Sequence, residues 1–238
     1  MPRSARRLER YNRAFYERCW RAGSVLPMPG VSAPPGRHAG VVELGCGLRP
    51  RLPLDAALFV DLSRAACTKL RRAGARAVCA TVGHLPFRTG TVHAIHAYEV
   101  LEHLEDDMTA VRELRRVLAP AGLLVVSAPL HPDRWDRFDR VVGHARRYDP
   151  AGLVRLMEAH GLALDGFAPF GMRPRGRLLT RLGLYYLTRR PRLAFRFEER
   201  FLQLSGATGG AVIIRRGGAE DFVREAAGMD GAVTAWRA

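Results

Sequence analysis

Residues 41–61 decide the fold: Val41-Val42-Glu43-Leu44-Gly45-Cys46-Gly47-Leu48-Arg49-Pro50-Arg51-Leu52-Pro53-Leu54-Asp55-Ala56-Ala57-Leu58-Phe59-Val60-Asp61. The run Val41 to Leu44 reads as a short strand that stops on Gly45-Cys46-Gly47, and Ala57 to Val60 reads as a second that stops on Asp61. Glycines at a strand end let the backbone turn sharply and let a ligand approach without meeting a Cβ. An ionised carboxylate closing the next strand can accept hydrogen bonds from both hydroxyls of a ribose. A lone GxG is also an ordinary strand-to-loop turn, and a lone acid is also favoured by a helix dipole. The pair is much more specific than either member.

Outward from this stretch, strand and helix patterns alternate. Ser63 caps a helix through Arg72. Ala77–Ala80, Thr91–Tyr98 and Leu123–Ala128 read as further strands. Met108, Val111, Leu114 and Val117 give Asp106–Leu118 helical spacing. Asp149-Pro150 reads as an N-cap followed by proline at the first helical position, with Gly161 as the stop. Leu162–Ala168 and Ala211–Ile214 complete the strand candidates. Toward the N-terminus, Leu8, Tyr11, Phe15 and Cys19 mark a basic amphipathic helix over 4–22, and the Pro- and Gly-rich 23–40 reads as an irregular connection. Alternation of this kind implies a doubly wound α/β sheet with helices on both faces. Its ligand sits outside the carboxyl ends of the strands, at the turns after Leu44, Val60, Ala80, Tyr98 and Ala128.

The 238 residues suffice for one α/β domain with a substantial core. With 47% hydrophobic and 26% charged residues, the balance is globular, not disordered. Apolar runs such as Leu118–Leu130 fall short of the ~20 residues of a membrane span. The N-terminus has no apolar signal core, and Cys19, Cys46, Cys67 and Cys79 are scattered without a CxxC pair. A cytoplasmic protein is therefore expected. The net charge of +15 admits anionic partners, but Lys69 is the sole lysine among 38 basic residues. A GC-rich codon preference gives the same arginine bias, so where the charge clusters matters more than its sum.

A nicotinamide or flavin dinucleotide is disfavoured. In the GxGxxG frame the third glycine would stand at Pro50, which has no N–H to offer a pyrophosphate. At this point the chain resembles a known family. Val41-Val42-Glu43-Leu44-Gly45-Cys46-Gly47 is similar to motif I of the class I S-adenosylmethionine-dependent methyltransferases, and Phe59-Val60-Asp61-Leu62-Ser63 to their second motif. His84-Leu85-Pro86-Phe87 resembles their "LPF" segment, Tyr98-Glu99-Val100-Leu101-Glu102-His103-Leu104 the stretch after strand four, and Arg116-Val117-Leu118-Ala119-Pro120-Ala121-Gly122 the turn into strand five. The five motifs keep order and spacing across 41–170, a type 11-like methyltransferase domain.

The resemblance implies a seven-stranded, mostly parallel Rossmann-like sheet with the last strand antiparallel. It implies S-adenosylmethionine as cofactor: Glu43, Gly45, Cys46 and Gly47 against its methionine part, Asp61 on the ribose, Leu62 on the adenine, His84 and Leu85 bordering the adenine, and Tyr98 and Glu99 near the sulfonium. The expected division is a helix and connection over 1–40, the cofactor-binding domain over 41–217, and a C-terminal helix and tail over 218–238. Three positions depart from the family pattern. Pro50 and Pro53 forbid a long first helix, which predicts a more open pocket. Thr81 stands where an acid often follows strand three. Thr91-Val92-His93 replaces the family's "sFD".

Methyl transfer from a sulfonium needs in-line positioning and, for some acceptors, a base. Histidine suits that role near neutral pH. His103 follows strand four on the cofactor side, though it also reads as a plain polar residue there. Gly143-His144-Ala145-Arg146-Arg147-Tyr148 resembles a "GHxRRY" stretch of some bacterial members. It places His144, Arg147 or Tyr148 at the acceptor, or else forms a structural loop of Asp–Arg pairs among residues 133–140. His131 is a weaker candidate. No metal site is expected, because the HxxH pair His93 and His96 lies on a strand and points to opposite faces. Residues 171–208 form a basic helical insertion with nine arginines against Glu198 and Glu199. It reads as a lid or as a surface for an anionic membrane or lipid-linked acceptor. The expected function is methyl transfer to an oxygen or nitrogen of a small-molecule, sugar or lipid acceptor. The alternatives are an RNA or protein methyltransferase and a non-catalytic cofactor-binding protein. No appended nucleic-acid module is visible.

Overall fold

The computed structural model describes residues 3–28, 40–170, 177–205 and 214–238. Helix α1 (Arg3–Ala22) precedes strands β1 (Val41–Leu44) and β2 (Leu58–Asp61), helix α2 (Arg64–Arg72), and strands β3 (Arg76–Cys79) and β4 (Val92–Tyr98). Helix α3 (Asp107–Val117) runs directly into strand β5 (Leu118–Pro129). Then come α4 (Arg137–Val142), α5 (Pro150–Glu158), β6 (Ala163–Pro169), α6 (Arg177–Arg189), α7 (Pro191–Ser205), β7 (Arg215–Arg216), α8 (Ala219–Ala226) and β8 (Gly231–Arg237). The helix starts follow from side-chain caps. Ser63 Oγ accepts from the Ala66 N–H at 3.2 Å, Asp106 Oδ1 from Thr109 at 2.9 Å, and Asp149 Oδ2 from Gly152 at 2.8 Å.

The strands form one sheet in the order β3-β2-β1-β4-β5-β8-β6-β7. β3 through β5 pair in parallel, and β8 lies antiparallel between β5 and β6. The sheet therefore has eight strands where the sequence predicts seven, the extra one being the two-residue edge β7. Residues 218–238 are also not a helix and tail: α8 leads into β8, an interior strand, so the domain runs to Arg237. β8 carries no alternation because both its faces are buried. Trp236 is wholly inside, its indole N–H donating to Thr234 Oγ1 at 2.8 Å. Of the strand predicted at Ala211–Ile214, residues 211–213 lie outside the described residues, as do 29–39 of the N-terminal connection and 171–176 and 206–208 of the insertion. No helix among the described residues is long and apolar enough to cross a membrane.

As Pro50 and Pro53 require, no helix joins β1 to β2. The connection folds back instead on Glu43, whose carboxylate accepts the Arg51 N–H at 2.9 and 3.1 Å and the Leu52 N–H at 2.9 Å. The side chains of Leu48 and Leu52 are buried beneath it. α1 and α7 occupy the space above. Glu17 of α1 accepts from Ser63 Oγ at 2.6 Å, and Arg49 of the connection forms a two-point pair with Glu198 of α7 at 3.1 and 2.6 Å.

Candidate active site

A cavity of ≈1440 Å³ opens at the carboxyl ends of β1, β2, β3 and β4, roofed by α1, α6 and α7. This is the position the alternating pattern predicts. Glu43, Gly45, Cys46, Asp61, Leu62, Tyr98, Glu99, His103 and His144 line it; Gly47, His84, Leu85 and Tyr148 do not.

Gly45 sits at φ +67°, and a Cβ there would meet Val100 Cγ2 at 2.7 Å, so this turn admits only glycine. Gly47, at φ +56°, faces the Trp20 ring of α1, which occupies its side-chain space, while its N–H donates to Asp61 Oδ2 at 2.8 Å. Asp61 Oδ1 accepts the Ser63 N–H at 2.8 Å. A carboxylate has about four lone-pair positions, so Asp61 keeps capacity for further donors from the cavity. Burial pushes its carboxyl up to about 6 against these two N–H groups. Burial likewise pushes Glu43 up to about 7, opposed by the Arg51 and Leu52 N–H groups. Burial, reinforced by Glu43 and Asp61, holds the Cys46 thiol far above its usual range, so it is a neutral small residue in the turn. Ala80, Thr81, Val82 and Gly83 line the cavity beyond β3. His84 is exposed and Leu85 turns into the core, its N–H on Glu113 Oε1 at 2.7 Å.

At the other end, Glu99 holds φ +53°, a left-handed conformation uncommon for a non-glycine residue. Ser127 fixes it: Oγ donates to Glu99 Oε1 at 2.8 Å and accepts the Glu99 N–H at 3.0 Å. Burial raises the Glu99 carboxyl against that hydrogen bond. His103 and His144 stand edge to face, ring centroids 4.7 Å apart. His103 Nδ1 is 3.1 Å from the Gly143 carbonyl, and His144 Nδ1 is 2.9 Å from Asp139 Oδ1. Burial, with His144 beside it, pushes His103 down to about 3, so it is a neutral imidazole. Asp139 also accepts from Arg147 Nε at 3.0 Å and from the Asp136 N–H at 2.9 Å. Asp139 pairs with Arg147, outside the 133–140 stretch where Asp–Arg pairs are expected, and this pairing holds His144 at the cavity wall. Tyr148 is buried elsewhere, its hydroxyl donating to Asp107 at 2.8 Å. His131 faces α8 instead, its Nε2 donating to the Ala226 carbonyl at 2.9 Å.

Sequence reasoning gives no role to Asn12 or Glu102 here. Asn12 Nδ2 donates to the carbonyls of both His103 and Gly143, at 3.2 and 3.0 Å, and Tyr16 Oη lies 3.3 Å from His103 Nε2. These contacts span about ninety residues of chain or more, and no local pattern announces them.

Residues 42–126 match the family model described as a methyltransferase domain. A probable S-adenosylmethionine-dependent methyltransferase of Mycobacterium tuberculosis is 34% identical over 96 residues, 37% of this chain and 35% of that protein. The chain therefore spans about a third of the length of the curated relatives it matches. Among solved structures, a possible histamine N-methyltransferase from Thermotoga maritima superposes with TM-score 0.57 at 16% identity, covering 97% of this chain and 90% of that one. The [4+2]-cyclase SpnF superposes with TM-score 0.55 at 19% identity, covering 96% and 80%. These two likenesses establish a shared fold. Over residues 42–126 the chain is thus similar to the S-adenosylmethionine-dependent methyltransferases.

Proposed function

We propose that this chain transfers a methyl group from S-adenosylmethionine to an oxygen or nitrogen of a small-molecule, sugar or lipid acceptor. One observation carries the reading. A single cavity has Gly45 and Asp61 at one end and, at the other, His144 backed by Asp139. Bound there, the cofactor supplies an electrophilic methyl on a sulfonium. Asp61 would accept from the ribose hydroxyls, Leu62 would pack on the adenine, and Gly45, which lines the cavity with them, would let the backbone come close. Glu99 and Tyr98 border the reacting region. The geometry of the walls supplies positioning. With its Nδ1 proton held by Asp139, His144 offers Nε2 to an acceptor proton, and His103, kept neutral beside it, completes that wall.

The roof supports an acceptor with an apolar body. Leu182, Tyr186, Leu193 and Phe197 of α6 and α7 line the cavity and also reach the surface. Exposed Arg181, Arg189, Arg192 and Arg196 stand among them. This favours a lipid-linked or amphipathic acceptor entering past the helices, with peripheral contact to an anionic surface. Replacing Arg189, Arg190 and Arg192 together should weaken liposome binding; unchanged binding removes the membrane contact.

Calorimetric titration of S-adenosylmethionine into wild type and Asp61→Ala tests the cofactor site. Micromolar binding weakened by the substitution supports it, and no binding by folded wild type overturns it. The exposed arginines clustered on α6 and α7 keep an RNA acceptor as the second reading, marked by a salt-sensitive RNA shift. SpnF, a cyclase on this fold, is the reminder that sheet order does not fix chemistry. An acceptor screen with labelled cofactor separates transfer from cofactor binding alone.

A further inference from the structure

Glu102 is fully buried, and neither of its carboxylate oxygens has a hydrogen-bond partner among the described residues. A buried carboxylate without donors is costly and rare. It is also not alone. One ligand-type atom from each of Glu102, His103 and His144 lies within 4.8 Å of the others, with His144 Nε2 3.9 Å from Glu102 Oε1. The tautomers follow from the partners. Each Nδ1 faces a pure acceptor, the Gly143 carbonyl for His103 and the Asp139 carboxylate for His144. Each ring proton therefore sits on Nδ1, and each Nε2 presents a lone pair. Tyr16 donates its proton to the Val142 carbonyl at 3.0 Å, so it turns an oxygen lone pair toward His103. Electron pairs converge on one point from three sides, and among the described residues no proton donor separates His144 from Glu102.

We propose that Glu102, His103 and His144 form a binding site for a single divalent transition-metal cation at the acceptor end of the cavity. Two imidazole nitrogens and one carboxylate oxygen suit Zn²⁺, Fe²⁺ or Co²⁺ better than Mg²⁺ or Ca²⁺, which prefer oxygen. Bonds of ~2.0–2.2 Å would set the ligand atoms ~3–3.5 Å apart. The spacing, up to 4.8 Å, must contract by about 1–2 Å on binding. The outer contacts are already in place. Metal-bound histidine commonly donates its other N–H to a carboxylate or a backbone carbonyl, and Asp139 and Gly143 are those two partners. Asp139 is held in turn by Arg147 and the Asp136 N–H, and Gly143 by Asn12. The HxxH pair weighed from sequence, His93 and His96, is not involved: His93 is exposed and His96 is buried.

Three protein ligands leave coordination positions open. His103, His144 and Tyr16 line the cavity, so those positions face it. On the methyl-transfer reading, they suit an acceptor bearing a ligating oxygen such as a hydroxyl or carboxylate. The metal site itself does not depend on that reading.

The test uses the full chain, stripped with a chelator and titrated with Zn²⁺ by calorimetry and with Co²⁺ by visible absorption, without cofactor or acceptor. Wild type should bind a single equivalent of each and gain thermal stability, with no competition from Mg²⁺. Asp139→Asn keeps all three ligands and should weaken binding by ~10–100-fold. Glu102→Gln and His144→Gln should weaken it at least as much, and His93→Gln should leave it unchanged. Absence of saturable binding to wild type overturns the proposal, as does wild-type affinity in Glu102→Gln. In that case Glu102 simply keeps a proton, and the glutamine variant is the more stable protein. If Glu102→Gln does not fold, His103→Gln and Asp139→Asn decide by the same criteria. Failure here leaves the cofactor titration untouched, and failure of that titration leaves this result standing.

Discussion

The two ends of the cavity are built in opposite ways. At the cofactor end, Gly45, Asp61 and Thr81 come from three successive strand ends, and the bonds that fix them are mostly to main chain: Gly45 N–H to the Val60 carbonyl at 2.8 Å, and the Gly47 and Ser63 N–H groups to Asp61. At the acceptor end, Asn12 and Tyr16 of α1 meet His103 after β4 and the Asp139–Arg147 segment after β5, through side chains. The first construction needs only the sheet and its turns. The second needs three distant segments to dock. A backbone-built end can persist while a side-chain-built end changes, so the acceptor end is where specificity is free to diverge. If the ends are separable in this way, substitutions at one should leave the other's ligand unaffected.

The largest expected effect breaks the acceptor end. His144→Ala should lower the methyl-transfer rate by ~10²–10⁴-fold and leave S-adenosylmethionine affinity within about 3-fold, since Asp61 and the Gly45 turn are untouched. Full activity in that variant excludes His144 from the chemistry; loss of cofactor binding breaks the separation of ends. Next in size, Asp61→Ala should weaken cofactor binding by ~1–3 kcal/mol, the cost of removing a buried acceptor from its donors. Equal affinity in calorimetry would move the ribose elsewhere.

The cofactor end also predicts a pH dependence. Asp61 and Glu43 are carboxyls raised by burial from ordinary values of 3.8 and 4.5 to about 6 and about 7. A raised carboxyl binds its proton more tightly folded than unfolded, so its contribution is complete below the unfolded value and is lost as pH rises through the folded one. Stability without cofactor should therefore fall between about pH 4 and 7, by on the order of 1–3 kcal/mol for each group. Asp61→Asn should flatten its share of the slope in chemical denaturation at several pH values. An unchanged slope would mean that Asp61 is solvated in the free protein. Hydroxyl donors favour the ionised form, so cofactor binding should weaken below about pH 6.

The same contrast explains what the sequence could reveal. Gly45, Asp61 and the capped helices at Ser63, Asp106 and Asp149 are read locally, because a turn or a cap involves residues at most four apart. Pro50 and Pro53 announced the missing helix for the same reason. What replaces that helix, a loop tied to Glu43 and roofed by Trp20 and Phe195, was not legible, since it depends on α1 and α7 arriving from elsewhere. β8 was missed because an interior strand with both faces buried shows no alternation and here is rich in small residues. Gly47 sits at positive φ, as a glycine at a strand end allows, but its side-chain space is filled by the indole of Trp20 and it does not line the cavity. Tyr148 shared a motif with His144, yet it points into the core, where Asp107 accepts its hydroxyl. Motif spacing fixes which residues are near in chain; burial decides which of them face a ligand.

The smallest expected effect probes the join between the ends. Glu198 of α7 is 42% exposed in its side chain and pairs with Arg49, which is 9% exposed and stacks on Phe195 at 5.4 Å. Arg49 also donates to the Ser24 and Leu48 carbonyls at 2.9 and 3.0 Å, so removing Glu198 does not leave the guanidinium without partners. A half-exposed pair of this kind is worth about 1 kcal/mol or less. Glu198→Ala should thus barely move the melting temperature. Its effect should instead be local. α7 is tied to the β1–β2 connection by this pair and by Phe195, so hydrogen exchange should rise over Pro191–Arg200 while the amides of β1 and β2 stay protected. If the roof belongs to the acceptor end, acceptor affinity should fall and cofactor affinity should hold. If both fall together, the roof closes over the cofactor as well, and the two ends are one site.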